Sequence, residues 1–221
     1  MNKIAILYYS SCTEEELLEN KIRQNIIKNK GNLELVSVTQ KPLNNFGKNI
    51  NVGKHDNCYA NEFRQIQIGL QEITSQYVLV TEADCLYPPE YFHFNPQKNA
   101  DYYRFDNVWV HTYQNPLQKD ALFYFKGFSD CAQLINRNFW LKKLDECLND
   151  RTQWSKASDP PPPRLGIGTD RENVWTSQNP VITFKTNYGV SRRTEVKKNV
   201  TPKENLPFWG SAQLLRKNLF L

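Results

Sequence analysis

The stretch Tyr77–Phe92 reads YVLVTEADCLYPPEYF, an apolar run that ends in two acids one residue apart, Glu82 and Asp84. Alternate residues at a strand end point the same way, so both carboxylates can face one point. Side by side they repel unless a cation lies between them or one takes up a proton. Oxygen ligands of this kind suit Mg²⁺ or Mn²⁺, which bind through one or two carboxylates together with substrate phosphates. The acids therefore point to a metal held by Glu82 and Asp84, against the plainer reading of two solvated acids in a loop. Pro88 and Pro89 then turn the chain away.

Something must place that strand end. KIAILYYS (Lys3–Ser10) is apolar and ends in polar residues, as a buried strand does at a site. Thr13 and Glu16 have capping-box spacing, so a helix is expected from there to about Lys30, with Leu17, Leu18, Ile22 and Ile26 at helical intervals and Gly31 stopping it. Leu33–Thr39 follows as a second strand. Strand, helix, strand at this length is a βαβ unit and implies a parallel sheet, hence the α/β class. Residues 43–60 read as loop, Asn61–Ser75 as a helix, and Tyr77–Thr81 as a central strand. Beyond them, aromatic segments (Tyr102–His111, Leu122–Phe125) suggest antiparallel strands, then a helix over about Asn136–Asn149. The run Asp159–Pro163 is a surface connection, and Val181–Phe184 is a last strand.

The chain has 221 residues, enough for one domain with a sizeable core. No apolar run approaches the roughly 18 residues of a membrane span, and the short IAILYY run reads as a strand instead of a leader. Five cysteines, an odd number with no CxxC pair, fit free thiols in a reducing cytoplasm. The net charge of +5 is uneven: residues 185–221 carry eight Lys/Arg against two acids. Either this is an ordinary basic surface, or the segment meets an anion such as a diphosphate, a nucleic acid or a lipid headgroup.

The βαβ start KIAILYYS…LELVSVT, the helix before the acids, and VLVTEADCLYPPEYF together resemble nucleotide-sugar glycosyltransferases of the GT-A fold, over roughly residues 3–95. That family ends a central strand in a D-x-D-type motif holding the metal that bridges the donor diphosphate; here it is Glu82-Ala83-Asp84, with Glu in place of the usual first Asp. The resemblance implies one domain over 1–221. Its Rossmann-like donor half (1–95) has a central, mostly parallel sheet flanked by helices. An antiparallel, aromatic-rich acceptor half (96–184) and a basic segment (185–221) follow.

The resemblance also implies roles. Tyr8, Tyr9 and Ser10 would cradle the nucleotide base, with Thr39 and Gln40 beside base or ribose. Lys54, His55, Arg64 and Gln65 would flank the donor, with Lys54 and Arg64 within reach of phosphate. Asp130, in KGFSDCAQL, is the first candidate for the catalytic base and Asp106, in RFDNVW, the second; for Asp130 a helix N-cap is the competing role. Many relatives add a late histidine to the metal shell, yet His55, His93 and His111 all lie outside the C-terminal third. Asn187 or water would fill that position, unless metal binding is weak or the basic segment partly replaces the metal's charge; Arg192 and Arg193 would clamp the diphosphate. For the acceptor, Trp109, Trp175, Phe208 and Trp209 with the basic segment fit a modified base in DNA, and a saccharide or glycolipid fits nearly as well. Two other classes stay open: a nucleotidyltransferase, although SSCTEEE lacks the usual glycines and cation, and a non-catalytic nucleic-acid-binding protein. A glycosidase is disfavoured, because its acid pair stands across a sugar cleft and usually comes from different segments.

Overall fold

The computed structural model describes residues 3–111, 121–151, 153–167, 173–186, 188–190 and 195–220. In chain order the elements are β1 (Ile4–Ser10), α1 (Glu16–Asn29), β2 (Glu34–Thr39), β3 (Lys48–Asn51), α2 (Tyr59–Glu72), β4 (Tyr77–Glu82), β5 (Cys85–Leu86) and α3 (Pro89–Phe92). Then come β6 (Tyr102–Phe105), β7 (Val108–His111), β8 (Phe123–Gly127), β9 (Gln133–Asn136) and α4 (Arg137–Leu148). The chain ends with β10 (Val174–Trp175), β11 (Val181–Phe184), β12 (Asn205–Leu206), β13 (Gly210–Ser211) and α5 (Ala212–Phe220).

The main sheet has the order β10-β6-β9-β4-β1-β2-β3, and β9 alone runs against its neighbours. The fold is thus the α/β class with a mostly parallel central sheet that the GT-A resemblance implies. All seven residues of β1 are buried, because the sheet is covered on both faces. Ala5, Leu7 and Tyr9 pack toward α2 and α4, and Ile4, Ile6 and Tyr8 pack toward α1. A second sheet of order β5-β11-β7-β8 joins the α1-side core.

Several elements depart from the expectation. Thr13 makes no cap: α1 begins after Glu15, without a side-chain cap bond. Lys48–Asn51, read as loop, is an edge strand, since Asn-rich strands carry no apolar period to reveal them. The aromatic run Tyr102–His111 splits at Asp106-Asn107, with β6 in the main sheet and β7 in the second. The second sheet is also mixed, because β11 and β7 are parallel. Asn136 caps α4 by accepting from the amides of Asn138 and Phe139, which removes the cap role from Asp130. The described part of the basic segment is folded: Lys203 pairs with Phe123, and Leu206, Ala212 and Leu219 are buried in the core. No helix among the described residues is long and apolar enough to cross a membrane.

Gly47 leads into β3 at φ 66°, where an added Cβ would stand 2.2 Å from the Leu35 carbonyl oxygen. Gly47→Ala is expected to cost roughly 2–4 kcal/mol of stability in a denaturant titration, combining left-handed strain with overpacking.

Candidate active site

The chain steps from one sheet to the other across the acid pair. Glu82 closes β4 in the main sheet, and Cys85 opens β5 in the second, leaving Ala83 and Asp84 as the crossing. The Asp84 carbonyl is fixed there by the Phe184 amide at 2.7 Å. Tyr9 is the register partner of Glu82 on β1, and its hydroxyl donates to Glu82 Oε1 at 2.7 Å. The Glu82 amide donates to Tyr87 Oη at 2.9 Å, and Tyr87 donates on to the Cys131 carbonyl at 3.0 Å. The strand end is therefore held by a chain of oriented groups on both sides.

More acids converge on this point. Burial raises the Glu82 carboxyl well above the usual range, and Asp84 and Glu62 add to the rise. Burial also raises Asp84, against the pull of the Cys85 thiol, Lys126 and Lys185. Glu62, in the first turn of α2, is pushed up to about 7 by burial and by the charges of Asp84 and Asp130. Glu14 is also raised to about 7, chiefly by burial; its Oε1 accepts from the Thr186 hydroxyl at 2.6 Å, and its Oε2 is buried without a partner. Burial raises all four carboxyls above their ordinary values, so the cluster favours added positive charge. Lys126 and Lys185 supply part of it. A divalent cation would supply the rest, and Glu82 and Asp84 offer carboxylate oxygens to one. One carboxylate oxygen of Glu82 also lies within 4.8 Å of the sulfurs of Cys85 and Cys131.

Of the proposed bases, Asp130 lies at this site. Its side chain is 91% exposed, 3.7 Å from the Arg104 guanidinium, and accepts from Gln133 Nε2 at 3.2 Å. Asp106 sits at the crossing between β6 and β7, with one carboxylate oxygen buried and unpartnered.

The other expected residues divide. Tyr8 is fully buried, edge-on to Phe46 on the α1 side, so its face is not open to a base; Tyr9 is at the acid cluster. Ser10 donates to Glu19, and Gln65 donates to the carbonyls of Ser10 and Val38, tying α2 to the strand ends. Thr39 donates to the Lys41 carbonyl, and Gln40 accepts from the His55 amide. All four are buried, and their side chains bond within the fold at the strand ends. His55 stacks on Trp154 with centroids 3.7 Å apart. Lys54 is exposed, while Arg64 is anchored to the Arg151 carbonyl. Trp109 is buried against Phe125 under Lys203, and Trp175 is buried beside Phe94, so neither presents a face. Trp209 donates to the Pro180 carbonyl at 2.7 Å, and Phe208 is exposed. Asn187, Arg192 and Arg193 lie outside the described residues. Glu14, Glu62 and Lys126 were not expected, whereas Lys185 opens the basic segment whose composition pointed to an anion.

No protein-family model matches the chain, and no curated protein matches its sequence. Solved structures do match. A glycosyltransferase involved in the glycosylation of the major capsid of PBCV-1 is 9% identical at a TM-score of 0.43, over 82% of this chain and 93% of that one. TarS from S. aureus, in complex with UDP-GlcNAc, is 8% identical at 0.44, over 90% and 62%. The inositol-1-phosphate CTP transferase from T. maritima is 11% identical at 0.39, over 70% and 76%. Likenesses this distant bear no weight for function, which rests on the site's own geometry.

The two acids at about 7 have a measurable consequence. Glu14 and Glu62 bind protons more tightly folded than unfolded, where 4.5 is usual. The stability they contribute is complete below about pH 4.5 and is lost as pH rises through about 7. Without divalent metal, the melting temperature should fall between about pH 5 and about pH 8, and less steeply in Glu62→Gln. Equal slopes for the two proteins would contradict the charge convergence.

Proposed function

We propose that the chain is a metal-dependent glycosyltransferase that moves a sugar from a nucleotide-sugar donor to an acceptor hydroxyl. One observation carries this reading: a half-buried acid pair, short of positive charge, at the carboxyl end of a central parallel strand, where open α/β sheets bind ligands. Glu82 and Asp84 would hold Mn²⁺ or Mg²⁺, and that ion would neutralise the donor diphosphate as it leaves. Lys126 and Lys185 stand near Asp84 on the second sheet's side and add charge for the same phosphates. Tyr9 holds Glu82 in place, and the nucleoside would lie beyond the strand ends at Ser10, Thr39 and Gln40, which Gln65 ties to α2. Lys54, in the loop before α2, would extend the donor contacts, as would Arg192 and Arg193 from outside the described residues, while Arg64 is bonded to the Arg151 carbonyl.

For an inverting displacement, Asp130 takes the proton of the acceptor hydroxyl as its oxygen bonds to the sugar carbon and the bond to diphosphate breaks. Its exposure lets an acceptor reach it. Asp106 faces the interior, which favours Asp130. A nucleotidyltransferase is disfavoured because the β1–α1 turn, Ser11–Glu15, offers neither glycine nor cation to a triphosphate.

For the acceptor, we favour a hydroxyl-bearing base in DNA. The basic segment and the exposed ring of Phe208 beside Trp209 support it. A saccharide or glycolipid acceptor is the competing outcome. Binding to duplex DNA that weakens steeply with salt, together with sugar transfer to the modified base, is the expected result; transfer to saccharides with no DNA binding would overturn this choice of acceptor.

The activity itself is tested by release of nucleoside diphosphate from a panel of nucleotide sugars with Mn²⁺. Asp130→Asn is expected to lower kcat by about 10²–10⁴-fold while leaving donor affinity unchanged. Full activity in that variant would place the base elsewhere.

A further inference from the structure

Cys85 and Cys131 stand beside the acid pair and have no part in the donor chemistry above. Both are buried, at 0% and 3% exposure. Cys85 opens β5 in the second sheet, and Cys131 lies in the turn between β8 and β9, so the meeting of the two sheets brings together thiols distant in sequence. Their sulfurs and one oxygen of Glu82 lie within 4.8 Å of one another. Ligands of a single tetrahedral zinc ion, at roughly 2.3 Å for sulfur and 2.1 Å for oxygen, stand roughly 3.6–3.8 Å apart. Small side-chain torsions would close the trio onto one ion.

The two thiols have different surroundings. The Cys85 thiol donates to Asp84 Oδ1 at 3.2 Å, and the Cys131 thiol donates to Ser129 Oγ at 3.2 Å. Ser129 Oγ also accepts from Lys126 Nζ at 2.7 Å, which places a cation behind the second sulfur. Each thiol proton already has an acceptor, and metal binding would release both protons to solvent.

We propose that Glu82, Cys85 and Cys131 form a site for a thiophilic ion, Zn²⁺ above all, distinct in chemistry from the oxygen-ligated ion at Glu82 and Asp84. Two thiolates select zinc, cadmium or cuprous ions over magnesium and manganese. Three protein ligands leave a fourth position open. The proposal rests on the donor-site reading only where the two sites share Glu82: zinc on the thiol side draws that carboxylate away from the donor metal.

The test is a titration of the reduced, metal-free chain with Co²⁺, followed by displacement with Zn²⁺. Wild type should develop thiolate-to-cobalt charge-transfer absorption that saturates at one ion per chain and is abolished by zinc. Cys131→Ser should lose the band, and so should Cys131→Ala, which keeps the pocket apolar should the serine variant fail to fold. Asp84→Ala should keep it. No band in wild type, or a band that survives in a folded Cys131 variant, overturns the proposal. A Mn²⁺-and-nucleotide response absent from wild type while the cobalt band is present would remove the donor reading and leave this site standing.

Discussion

Carboxyl groups cannot be gathered in a half-buried place without protons or a cation to neutralise them, and this structure gathers several. Glu82 and Asp84 lie where β4 leaves the main sheet and the chain enters the second. Glu62 arrives from the start of α2, Glu14 from the β1–α1 turn, and burial pushes all four upward. The rest of the molecule is arranged around that strain. Tyr9 and Tyr87 fix Glu82 and its amide, while β8 and β11 carry Lys126 and Lys185 to the other side. Positive charge brought to this point would relieve the repulsion among the acids.

The two-sheet construction explains why the acids collect here. A parallel strand end offers an opening, but a single sheet would leave the acids largely in water, where like charges are screened. The second sheet covers them. Its first strand, β5, begins one residue past Asp84, and its partner β11 bonds the Asp84 carbonyl. Lys185 and Thr186 follow β11 directly, so the segment read from composition as a basic tail begins inside the site, with Thr186 bonded to Glu14.

Much of this frame was legible in the sequence. The βαβ start, the helix before the acids and the central strand follow from periodicity, and the acid pair announced itself by ending an apolar strand. What stayed hidden had physical reasons. Thr13 and Glu16 have cap spacing, but the helix starts too late to use it. In the aromatic run Tyr102–His111 the polar pair Asp106-Asn107 interrupts the apolar residues, but a strand's composition does not show which sheet it joins. Tyr8 and Tyr9 look alike in sequence, yet adjacent residues of a strand face opposite ways: one ring enters the core and the other reaches Glu82. Glu14, Glu62, Lys126 and Lys185 lie far apart in the chain, and only the fold makes them neighbours.

The most direct measurement is thermal stability with a panel of nucleoside diphosphates, with and without Mn²⁺, for wild type and Asp84→Ala. A ligand that binds only the folded chain raises its stability, by about 2.7 kcal/mol at a hundredfold excess over Kd. Wild type should rise with one nucleotide only when Mn²⁺ is present. Asp84→Ala, freed of one repelling charge, should match or exceed the metal-free wild type and then show no Mn²⁺-dependent rise. No response from wild type to any nucleotide with Mn²⁺, or an equal response from Asp84→Ala, would contradict a metal-bridged donor site at the end of β4.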